Sequence, residues 1–151
     1  MEFISDKFQL AATDLSNHLA CACLTQLNRK VATEELKRPY RNDPSLEILA
    51  QRGREHEEAF VKHLQKRYAT TIHLRNQSAD ATVTAMADGI DVIVQARLQH
   101  GLWMGYADVL VKIPGESKFG EWKYEVYDTK LSQNTRAGTI LQLCLTQRCF
   151  Q

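Results

Sequence analysis

No stretch of the 151 residues approaches the roughly 18 to 20 consecutive apolar residues of a membrane span, so no membrane partner is expected. A secretory leader is missing too. Met1 to Leu10 carries Glu2 and Asp6 among its apolar residues, which places the expected location in the cytoplasm. Nor is there an excess of charge of one sign. With 19 Lys and Arg against 18 Asp and Glu the formal net charge is +1, so no whole-chain field draws in a polyanion, and any nucleic-acid site must be local. Cysteines are few: Cys21, Cys23, Cys144 and Cys149 lack the C-x₂-C spacing of a zinc site, and without a secretory context they read as free, buried or half-buried thiols. With 3 prolines, 7 glycines, no internal repeat and no Pro/Gly/Ser linker, nothing divides the chain. At 44% hydrophobic and 25% charged, residues 1–151 read as one domain with a real core.

What is present begins with a helix capped by Thr13 or Asp14 and running through Leu19 and Leu24 to about Leu27. The stretch Lys37-Arg38-Pro39-Tyr40-Arg41 then interleaves cations with a ring, as a phosphate-contacting segment or a solvated loop. Asp43 as N-cap and Pro44 at the first position open the clearest helix, with a stripe Leu49, Gly53, His56, Phe60, Leu64 expected to be buried, to about Lys66. Thr70 to Leu74 reads as a short strand, and Ala79 to Asp88 as a helix capped by Ser78 and stopped by Gly89. Asp91 to Gln99, Leu102 to Ile113 and Trp122 to Leu131 are rich in β-branched and aromatic residues, with turn signals at His100-Gly101 and Pro114-Gly115, and read as antiparallel neighbours. A last helix spans about Thr135 to Arg148. The order predicts an α/β or α+β layered domain whose sheet is flanked by helices.

Alternation along Leu102 to Ile113 predicts Ala107, Val109 and Val111 on one face and Tyr106, Asp108 and Leu110 on the other. Asp128 and Lys130, two apart in the next run, would share a face. Charges in apolar strands cost several kcal/mol each unless paired or coordinated. Two roles fit: an internal ion pair of Lys130 with the aspartates, or a hard-cation site in which two carboxylates hold Mg²⁺ or Mn²⁺ and Lys130 steadies charge on a phosphoryl oxygen. His56 on a buried stripe is either a satisfied core imidazole or part of a site. Glu125 points away from Asp128 in a regular strand, and Glu57, about 100° around the helix from His56, is expected to face solvent or pair with a neighbouring base.

Gly105-Tyr106-Ala107-Asp108, then Tyr124-Glu125-Val126-Tyr127-Asp128-Thr129-Lys130, then Gln142 resembles the signature of the RecB-like nucleases of the PD-(D/E)XK superfamily. Arg52-Gly53-Arg54-Glu55-His56-Glu57 is similar to their helical histidine motif. A closer likeness, to a bacterial subfamily often joined to a helicase region, is carried by Ala12-Thr13-Asp14-Leu15, Leu19-Ala20-Cys21, Leu24-Thr25-Gln26-Leu27, Gly89-Ile90-Asp91-Val92-Ile93, Asp128-Thr129-Lys130-Leu131 and Ile140-Leu141-Gln142-Leu143. The resemblance covers about Leu10 to Leu145. It implies a restriction-endonuclease-like core with a mixed sheet, and divalent-metal-dependent hydrolysis of phosphodiester bonds in DNA repair or recombination. It further implies a helicase as partner or fused region, Asp108 and Asp128 as metal ligands, Lys130 as catalytic lysine, His56 as further ligand or orienting group, and Gln142 as helper at the substrate side.

The likeness departs at the end of the chain. A tyrosine four residues after the glutamine is usual in such families, and Thr146 stands there. The superfamily's further strand and helix have no residues left, so a C-terminally truncated domain is expected. Where relatives hold an iron-sulfur cluster, Cys21 resembles the first ligand and the other three would lie past Gln151, so no cluster is expected in this chain. The alternative expectation is a nuclease-like module that binds nucleic acid or a protein without cutting.

Overall fold

The computed structural model describes residues 1–39, 43–132 and 134–148. Tyr40 and Arg41 of the basic stretch, and Cys149, lie outside the described residues. In chain order the elements are β1 (Glu2–Ile4), β2 (Lys7–Gln9), α1 (Ala12–Ala20), α2 (Ala22–Ala32), α3 (Pro44–Gln65), β3 (Thr71–His73), α4 (Ala79–Ala87), β4 (Val92–His100), β5 (Trp103–Ser117), β6 (Gly120–Tyr127) and α5 (Ala137–Arg148). The architecture is α+β. A mixed four-stranded sheet in the order β3-β4-β5-β6, with β3 parallel to β4 and the other pairs antiparallel, is flanked by helices. α4 supplies the crossover that a parallel pair requires. Among the described residues no helix is long and apolar enough to cross a membrane.

Local chemistry sets most boundaries. Asp43 accepts from the Ser45 amide with Pro44 in the first turn, and Ser78 accepts from the Ala81 amide, so α3 and α4 start where expected. The expected first helix is two. Cys21 has extended backbone (φ −160°, ψ 108°) and separates α1 from α2, and α1 begins at Ala12, with Asp14 accepting from the Ala11 amide rather than serving as cap. Pro114-Gly115 is no turn either. β5 passes through it as an irregularity in its pairing with β6, Gly115 taking φ 147°, and the chain reverses at Lys118-Phe119. Strands of three residues are too short to show alternation, and the β1-β2 hairpin was not foreseen; Ser5 and Asp6 both take the positive φ that a two-residue hairpin turn demands.

The sheet buries a core on each face. On one side Ala85 and Met86 of α4 pack on Ile93, Ala96, Leu98, Ala107, Leu110 and Tyr124; on the other Val61 and Leu64 of α3 pack on Val92, Val94, Val109 and Val111. Ile93, Val109 and Leu110 are fully buried, each contributing about 1.5–3 kcal/mol. These memberships expose a slip. Ile93 and Leu98 share a core although five residues apart, as do Ala107 and Leu110, three apart, whereas strict alternation would separate both pairs. Ala107 is therefore not on the face of Val109 and Val111, contrary to expectation. The slip falls at Gln95 in β4 and Asp108 in β5. The pairs Val94↔Val109 and Ala96↔Ala107 flank these two residues, which face each other between them, and Gln95 takes φ 55°.

Away from the slip, Asp91 ties the sheet's other end. It accepts from the Thr70 amide (3.0 Å) and hydroxyl (2.9 Å) and pairs with Lys112 at 2.6 Å. The Lys112 ammonium, bonded to it, holds the Asp91 carboxyl below its usual range.

Candidate functional site

β6 stops pairing with β5 at Tyr127↔Val109, so the outer edge of β5 beyond that point carries no strand partner from β6. A cleft of about 380 Å³ opens along it. Its walls include Ala11–Thr13 at the start of α1 and Gln142, Leu143 and Thr146 of α5, and it is lined by Met104 to Asp108 of β5 together with Val126, Asp128 and Lys130.

β6 ends because the next amide finds another acceptor. Asp108 Oδ2 takes the Thr129 amide at 3.1 Å and lies 3.4 Å from its hydroxyl. Asp128 and Lys130 therefore sit in the segment after the strand, not within it as expected. They pair with each other: Lys130 Nζ lies 2.9 Å from Asp128 Oδ1, with the lysine side chain half exposed and the aspartate 15% exposed.

Asp108 is the perturbed group. Burial pushes its carboxyl up to about 6, the Asp128 carboxylate within hydrogen-bonding reach and the negative charge of Glu57 push the same way, and the Thr129 amide opposes them. Two carboxyl groups this close share a proton more readily than they both ionise. Gln142, on the α5 wall, donates through Nε2 to Ser16 Oγ at 3.4 Å, and Ser16 in turn donates to the Gly138 carbonyl at 3.3 Å, which fixes α5 against α1. Among the predicted site residues, the structure brings Asp108, Asp128, Lys130 and Gln142 to one cleft.

His56 is a correction. It is exposed, is not among the described residues lining the cleft, and does not lie on a buried stripe. The face of α3 that meets the sheet carries Glu57, Phe60, Val61 and Leu64, and His56 points about 100° away from it. Leu49 of the expected stripe is 54% exposed as well. Among the described residues no group of three or more His, Cys, Asp or Glu is placed to hold a metal ion, so the expected set His56, Asp108 and Asp128 is not assembled.

Glu57, not His56, is the α3 residue whose charge acts on the site, although it does not line the cleft either. It is half-buried, accepts a hydrogen bond from the Gln95 side-chain amide, and its charge reaches Asp108. Counting Val61 instead of His56 into the stripe, at the spacing 57, 60, 61, 64, would have turned the helix the right way. Gln95 carried no comparable signal, because its role follows from the slip. The excluded Glu125 is exposed, 3.4 Å from the Tyr127 hydroxyl. Cys21, Cys23 and Cys144 are free thiols, but exposed rather than buried or half-buried as expected. No family model, curated protein or solved structure matches this chain.

Proposed function

We propose that this chain is a nuclease that hydrolyses phosphodiester bonds of DNA with Mg²⁺ or Mn²⁺, on a restriction-endonuclease-like core. One observation carries the reading: in an open cleft the buried Asp108 carboxyl, pushed up to about 6, lies within hydrogen-bonding reach of Asp128, whose other neighbour is the Lys130 ammonium. Keeping two carboxyl groups in mutual repulsion destabilises the chain, and a cation between them reverses that sign. The donor set fits a hard ion, since Mg²⁺ is commonly held by one or two carboxylates with water and phosphate completing its shell.

Asp108 and Asp128 would hold the ion, which when bound supplies a Lewis acid and a more acidic water. Lys130, already at the carboxylate, turns its ammonium to the phosphoryl oxygens, where negative charge grows. Gln142, its Nε2 held by Ser16, offers Oε1 to water or substrate in the cleft. Glu57 tunes the proton on Asp108 through its charge and is itself held by Gln95. A helicase as partner or fused region belongs to the same proposal.

The alternative, a module that binds nucleic acid without cutting, is favoured by the Lys130–Asp128 contact, which is also a complete ion pair. Incubating the protein with end-labelled linear and with circular DNA, in Mg²⁺, Mn²⁺ or chelator, separates the two. Cleavage that needs the ion and disappears in Asp108→Asn supports the nuclease. Binding without cleavage in either metal leaves the module.

A further inference from the structure

Arg97 lies in β4 two residues beyond Gln95, about 7 Å along the strand from the slip, and pairs across to Tyr106 of β5. Its neighbours Ala96 and Leu98 point into the α4-side core, so Arg97 and Tyr106 look the opposite way, with Glu57 and Gln95. The guanidinium is poorly matched where it sits. Nε is buried with no hydrogen-bond partner, and the one bond its side chain makes among the described residues is from Nη2 to the Met104 thioether at 3.0 Å, a weak acceptor. No carboxylate pairs with it among the described residues. Arg97 is not itself among the residues lining the cleft, but both side chains it stands beside, Met104 and Tyr106, line it with Asp108, Asp128 and Lys130.

A guanidinium carries five donors in a planar fork suited to two oxygens of one anion, and leaving its buried Nε–H without an acceptor lowers stability. We propose that Arg97 is a phosphate-binding residue of this cleft, taking the non-bridging oxygens of a phosphodiester next to the one at Asp108. This rests on the nuclease reading for what occupies the cleft. The anion is a phosphodiester rather than a lone carboxylate because a polynucleotide carries anions at a regular repeat, presenting one to Arg97 and the next to Lys130 or a bound cation.

The test is binding of a fluorescein-labelled 12-residue oligothymidylate, followed by anisotropy in Ca²⁺ across a salt series, for wild type, Arg97→Met and Arg97→Lys, with melting temperatures of all three. Arg97→Met should bind about 10-fold more weakly, with a slope of log K against log salt smaller by about 0.7, one phosphate contact on a single strand. It should melt no lower than wild type, because an ill-matched charge has been replaced by an apolar chain of similar length. Arg97→Lys keeps the charge and should keep the wild-type slope, losing only a few-fold in affinity with the fork. Wild-type affinity and slope in Arg97→Met, Arg97→Lys as weak as Arg97→Met, or no binding by wild type would each overturn the proposal. A wild type whose binding depends on Arg97 but which does not cut DNA in Mg²⁺ or Mn²⁺ overturns the nuclease reading alone.

Discussion

Asp108 is held with its carboxyl up at about 6 instead of the ordinary 3.8, and this shift makes a definite forecast about stability. Between those two values the folded chain keeps a proton that the unfolded chain has lost, so stability falls as pH rises through that window and stays lower above it. Without metal, Asp108→Asn should therefore melt above wild type at about pH 7.5, and the two curves should converge below about pH 4. Scanning calorimetry across that range in chelator checks it; a variant that melts below wild type at the upper end would mean the carboxylate is stabilised where it sits. Glu57→Gln removes one of the charges that raise the Asp108 carboxyl, so its titration should move down from about 6, read by carboxyl-carbon NMR. For Lys130→Ala the expected result is loss of about 10² to 10³ in cleavage rate with metal affinity kept, because an ammonium is no ligand for a cation. Unchanged turnover would return Lys130 to its ion pair with Asp128. At this scale Asp108, Asp128 and Lys130 were legible, since a carboxylate in an apolar run and an acid two residues from a lysine stand out, while Gln142 came only from the family resemblance. His56 and Glu57 were exchanged because two adjacent helix positions differ by only about 100°, and counting His56 rather than Val61 into the stripe decided the direction.

Elements were read well where backbone chemistry is local and less well where partners decide. Asp43-Pro44 and Ser78 announce α3 and α4 through caps that need no tertiary context. The end of β6 is not local: it is set by Asp108, a residue of the neighbouring strand, capturing the Thr129 amide. β6 has another non-local dependence. Its open edge is met by Gln147 of α5, whose side-chain amide accepts from the Val126 amide at 3.0 Å and donates to the Tyr124 carbonyl at 2.9 Å, as a peptide group of a further strand would. Gln147→Ala should cost about 1 kcal/mol and raise hydrogen exchange at the Val126 amide; protection equal to wild type would show that α5 is held by other contacts. The sheet's centre is less forgiving. Leu110, at 0% exposure between Ile93 and Val126, should cost about 2–5 kcal/mol as Leu110→Ala in urea unfolding, and a loss below 1 kcal/mol would place the core elsewhere.

The molecule as a whole carries almost no net charge, so its proposed chemistry depends on a small region where the sheet departs from its own pattern. A two-core sheet was foreseeable from alternating apolar runs, but an alternation that breaks in two strands at once is invisible when each strand is read alone, since every residue of 92–98 and 104–111 still looks like strand. In crystals such a break is a dislocation: order is perfect on either side and offset across it. The offset here is one residue wide and is carried by Gln95 and Asp108, the two positions that the flanking pairs Val94↔Val109 and Ala96↔Ala107 skip. Deleting both together would bring Val94 beside Ala96 and Ala107 beside Val109, and simple alternation would then run the length of both strands. That healed chain should fold with its two cores intact, as stable as the parent or more so, while either single deletion turns half of a strand inside out. The healed sheet would be the more regular one, and it would have lost the place where two acids are turned toward one opening.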